Sequence, residues 1–341
     1  MSKRWFSLAL VVLVAAFAAI GAAVRGDQAD AKSQAIGACL VTDTGGLNDK
    51  SFNALAYKGL NQAKARGVTG RVITSKSAAD YIPNLQACVR AGAKVTIGVG
   101  FLMADAIDAI ASRFPQSKFA VVDVDVTGLK HKPKNVQGLL FKEQEAGYLV
   151  GYAAGLWTKL HPIDGQQVVG SVGGVKIPPV DRYIAGYQFG AKKANPQIKV
   201  VNDYSQDFNV QAKCKEKALN MIANGAGVIF QVAGGCGLGA LDAAKEKAAF
   251  GIGVDADQSF LGPHVLTSAL KRVDSAVFLT IESVVDGSWT GGRNEVFGLD
   301  QDGVALGTFS DDVDAKAREG VEEARTKIVD GEIGDIPTTV G

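Results

Sequence analysis

A chain of 341 residues is long enough for two domains, each with its own core. Its 36 Lys plus Arg against 35 Asp plus Glu leave no basic field to hold nucleic acid. With 47% hydrophobic and 21% charged residues the composition is that of an ordinary globular protein, and the 41 glycines suit a fold with many tight strand-to-helix turns.

In chain order, Lys3 and Arg4 precede an apolar run from Trp5 to Val24, and Ala29-Asp30-Ala31 follows with the small residues of a cleavage site. Residues 1–31 therefore read as a signal peptide of an exported protein, periplasmic or associated with the cell surface. A retained membrane anchor is the competing reading, because the run approaches bilayer-spanning length. No convincing lipobox is present: Ile36-Gly37-Ala38-Cys39 resembles one loosely, but charged residues intervene and Cys39 falls inside an apolar strand pattern.

Beyond the leader, short β-rich runs alternate with helical patterns. AIGACLV (35–41), RVIT, KVTIGVG and KFAVVD read as strands. Between them, SFNALAYKGLNQAKARG (51–67), DYIPNLQACVRAG and LMADAIDAIASRF read as helices, the first carrying Phe52, Leu55, Ala56, Leu60 and Ala63 at helical spacing. NVQGLLF (135–141) ends this set, and the helix EQEAGYLVGYAAGLWTKL leads into a second one. Its strands are VVGSVGG, IKVVNDY, GVIFQVAGG and FGIGVDAD, again with helices between. Such alternation predicts α/β architecture, with two doubly wound parallel-sheet lobes. One lobe spans 34–140 plus about 267–297; the other spans 141–266 plus about 298–341.

Cys39, Cys88, Cys214 and Cys236 in an exported chain permit disulfides in three connectivities. Division by lobe favours Cys39–Cys88 and Cys214–Cys236, with buried free thiols as the alternative. No C-x-x-C pair is present and His number only three, so a structural zinc site is not expected.

In parallel α/β sheets ligands bind outside the C-terminal ends of the strands, so polar residues there are the candidates. VTDTGGLNDKSFN (41–53) places Asn48 and Asp49 just before a helix, more polar groups than one helix cap needs. Tyr57 lies about 140° around that helix from Phe52, free to face a cleft or simply the solvent. Asp123 ends the run FAVVD, and SVGGVKIPP (171–179) reads as a glycine turn shaping a rim. Farther on, Gly235, Gly237 and Ala240 satisfy G-x-G-x-x-G/A, and Asp255 ends the next strand. Alone, that fingerprint argues for an NAD-dependent oxidoreductase. Its place in the middle of the second lobe, the scarcity of NAD outside the cytoplasm, and the lack of a His or Lys placed for hydride transfer argue against it. A carboxylate at a strand end accepts paired hydrogen bonds from a vicinal diol in either case.

These residues resemble the basic membrane protein family of ABC-transporter substrate-binding proteins, which includes purine nucleoside receptors. The resemblance runs nearly end to end, through DTGGLNDKSFN (43–53), TIGVGF (96–101), FAVVD (119–123), NVQGLLFKEQEAGYLVGYAAG (135–155), GSVGGVKIPPVDRYIAGYQFGAK (170–192), GVIFQVAGGCGLG (227–239), GIGVDADQ and VLTSALKRVD. It implies a periplasmic-binding-protein-like class I fold, with lobes joined by a three-crossover hinge. It also implies a binding protein rather than an enzyme: a monomer without cofactor that captures a nucleoside, purine favoured, and delivers it to an ABC permease. The alternative is a binding protein or sensor for another small polar ligand, such as a pentose or a signalling molecule. By the family pattern Asn48 and Asp49 hold the base edge, Tyr57 and Phe230 stack on the base, and Asp123 reaches base or sugar. Asp255 and Lys271 bind ribose hydroxyls, with Gly235 allowing close backbone approach. A nucleoside hydrolase would need a metal-binding Asp cluster, for which Asp123-Val124-Asp125 is too thin.

Overall fold

Strand β1 (Ala38–Val41) shows how the first lobe is layered, because all of it is buried and its side chains alternate between two helical layers. Ala38 and Leu40 pack with Ala56 and Leu60 on one face, and Cys39 and Val41 pack with Leu85 and Ile107 on the other. The computed structural model describes residues 37–163 and 165–341. The leader expected over residues 1–31 lies outside them.

From β1 the chain runs through α1 (Phe52–Ala65), β2 (Gly70–Ile73), α2 (Tyr81–Arg90), β3 (Val95–Val99), α3 (Ala104–Arg113), β4 (Lys118–Val122) and β5 (Val136–Phe141). Helix α4 (Glu143–Leu160) begins the second lobe. It is followed by β6 (Val168–Gly173), α5 (Pro178–Ala194), β7 (Lys199–Tyr204), α6 (Gln211–Ala223), β8 (Ala226–Val232), α7 (Gly234–Glu246), β9 (Phe250–Asp255) and β10 (Val265–Lys271). Then come α8 (Val273–Asp286), β11 (Arg293–Phe297), β12 (Val304–Leu306) and α9 (Ala315–Val329).

The strands form two six-stranded sheets, ordered β11-β5-β4-β3-β1-β2 and β12-β10-β9-β8-β6-β7. Every pairing is parallel except β10 with β12. The two orders are the same path drawn twice, so β4 corresponds to β9 and β5 to β10. The chain passes between sheets after β5, after β10 and after β11, which makes the three-crossover hinge. Strand β10 stays in the second sheet through Lys271, so the chain re-enters the first lobe at Arg272 rather than near 267. Each lobe holds one disulfide, Cys39–Cys88 and Cys214–Cys236, each with Cα atoms 5.7 Å apart. Among the described residues no helix is long and apolar enough to cross a membrane.

Candidate ligand-binding cleft

The C-terminal ends of β1, β3 and β4 in one lobe face those of β8, β9 and β10 in the other, and a cavity lies between them. It holds about 610 Å³ of empty space, solvent at its mouth included. Phe52 and Phe101 from the first lobe and Tyr183 and Phe208 from the second supply its aromatic walls. Phe208 reaches it from the loop between β7 and α6, where its carbonyl accepts from the Cys236 amide at 2.9 Å. The glycine turn after β6 makes room for that ring, since a Cβ on Gly174 would overlap it. The turn in SVGGVKIPP thus seats an aromatic wall as well as shaping a rim.

The first lobe's end of the cavity is built around Asn53, on the first turn of α1. Asp49 accepts from the amides of Ser51, Asn53 and Ala54 at 3.1, 2.7 and 3.1 Å and so caps the helix. The Asn53 side-chain amide donates to Asp43 Oδ1 at 2.8 Å and to Asp49 Oδ2 at 3.2 Å. Burial pushes the Asp43 carboxyl up to about 6, although Gly45 and Asn53 donate to it. Burial raises Asp49 as well, against the four hydrogen bonds it accepts.

A second cluster collects charge. Asp123 and Asp255 stand just past β4 and at the end of β9, on corresponding strands, with left-handed φ of 68° and 62°. Non-glycine residues avoid that conformation, and its cost is tolerated here where it turns both carboxylates into the cleft. Lys271 Nζ lies 2.6 Å from Asp123 Oδ1 and donates to Glu143 Oε1 at 2.9 Å, with Arg182 3.4 Å from the other Glu143 oxygen. Burial disfavours the ammonium, but Asp123, Glu143 and Asp255 together outweigh it and hold the Lys271 pKa above its ordinary value. Burial pushes Asp123 up to about 7 against the pull of Lys271, and Asp255 up to about 6 against Lys271 and Ser51. Ser51 Oγ donates across the cleft to Asp255 Oδ2 at 2.7 Å, so the two lobes are in contact here.

Of the residues expected from sequence, Asp49, Asp123, Gly235, Asp255 and Lys271 line the cavity together. Asn48 does not; it is exposed on the loop before α1. Tyr57 is half-buried against the core rather than in the cavity. Phe230 is fully buried in β8, its ring 5.1 Å from that of Tyr187 and 6.0 Å from that of Tyr183. It lies one strand repeat below Val232, which does reach the cavity, so it supports the wall instead of forming it. The glycine fingerprint also serves packing. Helix α7 already begins at Gly234, and a Cβ on Gly237 would overlap the Gln231 side chain.

Sequence reasoning missed Phe52, assigned to the apolar stripe of α1, and Asn53 beside it. It also missed Phe208, which sits in a loop without periodicity. Asp43 was detectable as the polar end of β1, and Tyr183 only once α5 was placed against β8.

Comparison with known proteins assigns the chain to a family. The model for Bmp, described as ABC transporter substrate-binding protein PnrA-like, matches residues 36–337. A CD4+ T-cell-stimulating antigen of Listeria innocua is 36% identical, covering 98% of each chain. The ABC transporter nucleoside-binding protein BmpA of Lactococcus lactis is 34% identical over 98% of this chain and 99% of its own. Among solved structures, an ABC transporter system solute-binding protein from Aeropyrum pernix superposes with a TM-score of 0.78 at 29% identity, covering 88% of this chain and 93% of that one. The chain belongs to the Bmp family of PnrA-like ABC transporter substrate-binding proteins, solute binders rather than enzymes.

Proposed function

We propose that the protein captures a nucleoside, with purines favoured, between its lobes outside the cytoplasm and delivers it as a monomer to a membrane permease. The observation that carries this reading is the pairing of aromatic walls with a charged cluster. Phe52 and Phe208 come from different lobes and bound a space suited to a planar base. Beside them Asp123, Asp255 and Lys271 offer a polyhydroxylated sugar two carboxylates and an ammonium, the ammonium 5.2 Å from the centre of the Phe52 ring. Asn48, Tyr57 and Phe230 take no direct part in this assignment. The Lactococcus relative named as nucleoside-binding supports the ligand class.

Binding energy comes from closure. Water leaves the cleft, and hydrogen bonds to the carboxylates strengthen in the lower dielectric. Base–aromatic stacking contributes about 1–3 kcal/mol per ring. A ligand of this kind shifts the protein toward the closed form by its higher affinity for that form.

Isothermal titration of the purified, ligand-free protein with adenosine, guanosine, inosine, cytidine, uridine and ribose tests the proposal. Micromolar or tighter binding of a nucleoside is expected. Asp255→Ala should weaken it by about 1.5–3 kcal/mol, the value of a hydrogen bond to a charged group. Binding of ribose alone would replace the nucleoside with a sugar, and silence across the panel would overturn the ligand class.

A further inference from the structure

The two disulfides stand differently to the cleft. Cys39 in β1 and Cys88 in α2 are fully buried, and neither adjoins a residue of the cavity. Cys236 follows Gly234 and Gly235, both at the cavity, in the first turn of α7, and its amide donates to the Phe208 carbonyl at 2.9 Å. Its partner Cys214 stands in the first turn of α6, just beyond Phe208 in the chain. The bond therefore ties together the starts of the two helices that flank Phe208. Close packing supports the tie: a Cβ on Gly239 would overlap the Gln211 carbonyl, so the two helices meet backbone to backbone. The loop is also anchored on either side of the ring. The Ser205 and Gln206 amides donate to the Gly173 and Gly174 carbonyls at 2.8 and 3.1 Å. Asp207 Oδ1 accepts from the Asn209 and Val210 amides at 2.8 and 3.0 Å. Both cysteines of the tie are fully buried, which keeps reductants from the sulfurs and makes it constitutive rather than a switch.

We infer that Cys214 and Cys236 are positioning residues of the binding site: by fixing the start of α7 against that of α6, their disulfide sets the Phe208 wall in place before ligand arrives. The inference rests on the nucleoside reading, in which Phe208 stacks on the base. A wall already ordered in the free protein spares the ligand the cost of ordering it, and that saving appears as affinity. Without the bond, the Phe208 carbonyl depends on the Cys236 amide to stay at α7, and the ring must be ordered at each binding event. The Cys39–Cys88 bond has no such link to the cleft; it constrains the unfolded chain and so bears on stability.

A double-mutant cycle tests this, read by titration calorimetry with the nucleoside that the unaltered, oxidised protein binds most tightly. Cys214→Ala/Cys236→Ala should weaken binding by about three- to tenfold, the cost of ordering one side chain at the site. In a Phe208→Ala background the same cysteine changes should alter affinity by less than about twofold, because no ring is left to place. Cys39→Ala/Cys88→Ala should also leave affinity within about twofold, although thermal unfolding shifts down. Unchanged affinity without Cys214–Cys236, the same loss in both Phe208 backgrounds, or an equal loss without Cys39–Cys88 would each overturn the inference and leave the nucleoside reading standing. Hydrogen exchange on the unaltered protein requires no variant to fold. There the Cys236 amide should be as protected before nucleoside is added as after, and protection gained only on binding would overturn the inference. Absence of binding of every nucleoside by the unaltered protein would overturn the nucleoside reading itself, and the role of this disulfide with it.

Discussion

The two lobes repeat one strand order, but corresponding positions carry different chemistry. Strands β5 and β10 correspond, one ending in the core residue Phe141 and the other in Lys271, and the ammonium lies 4.9 Å from the centre of the Phe141 ring. Strands β4 and β9 both lead into an aspartate of left-handed backbone. Where the scaffold needs a carboxylate aimed into the cleft, the repeat is kept. Where it needs a counter-charge, only one lobe supplies it, and a single buried lysine serves Asp123, Glu143 and Asp255. The fold positions the groups, and the asymmetry between lobes creates the site.

Removing the lysine should separate the two positions most strongly. Lys271→Met leaves buried carboxylates without their counter-charge and should cost about 3–5 kcal/mol in urea unfolding of the unliganded protein. Phe141→Leu at the corresponding position should cost under about 1.5 kcal/mol, as a conservative core change. Similar losses at the two positions would show that Lys271 acts by packing alone.

The aromatics offer a second contrast. Phe52→Ala and Phe208→Ala, one in each lobe, should each weaken nucleoside binding by about 1–3 kcal/mol in titration calorimetry. Phe230→Leu should lower thermal stability slightly and leave affinity nearly unchanged, since its ring is shut off from the cavity. A large affinity loss in Phe230→Leu would restore it to the site.

Acidity should separate stability from binding. The carboxyls of Asp43 and Asp255 are raised from 3.8 to about 6, and that of Asp123 to about 7. Through these groups the folded protein binds more protons than the unfolded chain between about pH 4 and 7, so their contribution to stability is present at low pH and lost as pH rises through that window. Ligand hydroxyls donate to ionised carboxylates, so affinity should move the other way. It should weaken by up to about tenfold per pH unit for each proton that binding must displace, below about pH 6. Parallel trends in stability and affinity would mean that the ligand does not engage these acids.

The smallest expected effect tests the contact between lobes. Ser51→Ala removes the hydroxyl donated to Asp255 and should cost the closed form about 0.5–1.5 kcal/mol. Small-angle scattering should then show a larger radius of gyration for the ligand-free variant and none of that difference at saturating nucleoside. An unchanged ligand-free profile would show that this hydrogen bond does not bias closure.

The alternation of apolar strands and amphipathic helices was legible because both periods are local, and it sufficed for two parallel sheets. Asp123 and Asp255 were legible as polar residues ending apolar runs, whereas Lys271 was reached only through the family resemblance. Gly235 was found through a dinucleotide fingerprint whose neighbouring glycine, Gly237, in fact lets a helix close over Gln231. Phe230 misled because an aromatic in a strand reads the same whether its ring faces a cleft or a core, and only the packing of Tyr183 and Tyr187 over it distinguishes them. Residues 267–271 were grouped with the first lobe because local pattern does not name the sheet that a segment joins, and they pair in the second.

The class of fold, the repeated α/β unit and the strand ends where ligand chemistry gathers all follow from short-range pattern. Which aromatics face the cleft and which carboxylates share Lys271 were set by tertiary packing. Those outcomes depend on residues such as Ser51 and Asp255 meeting across 204 positions of chain, and no local period records such a meeting.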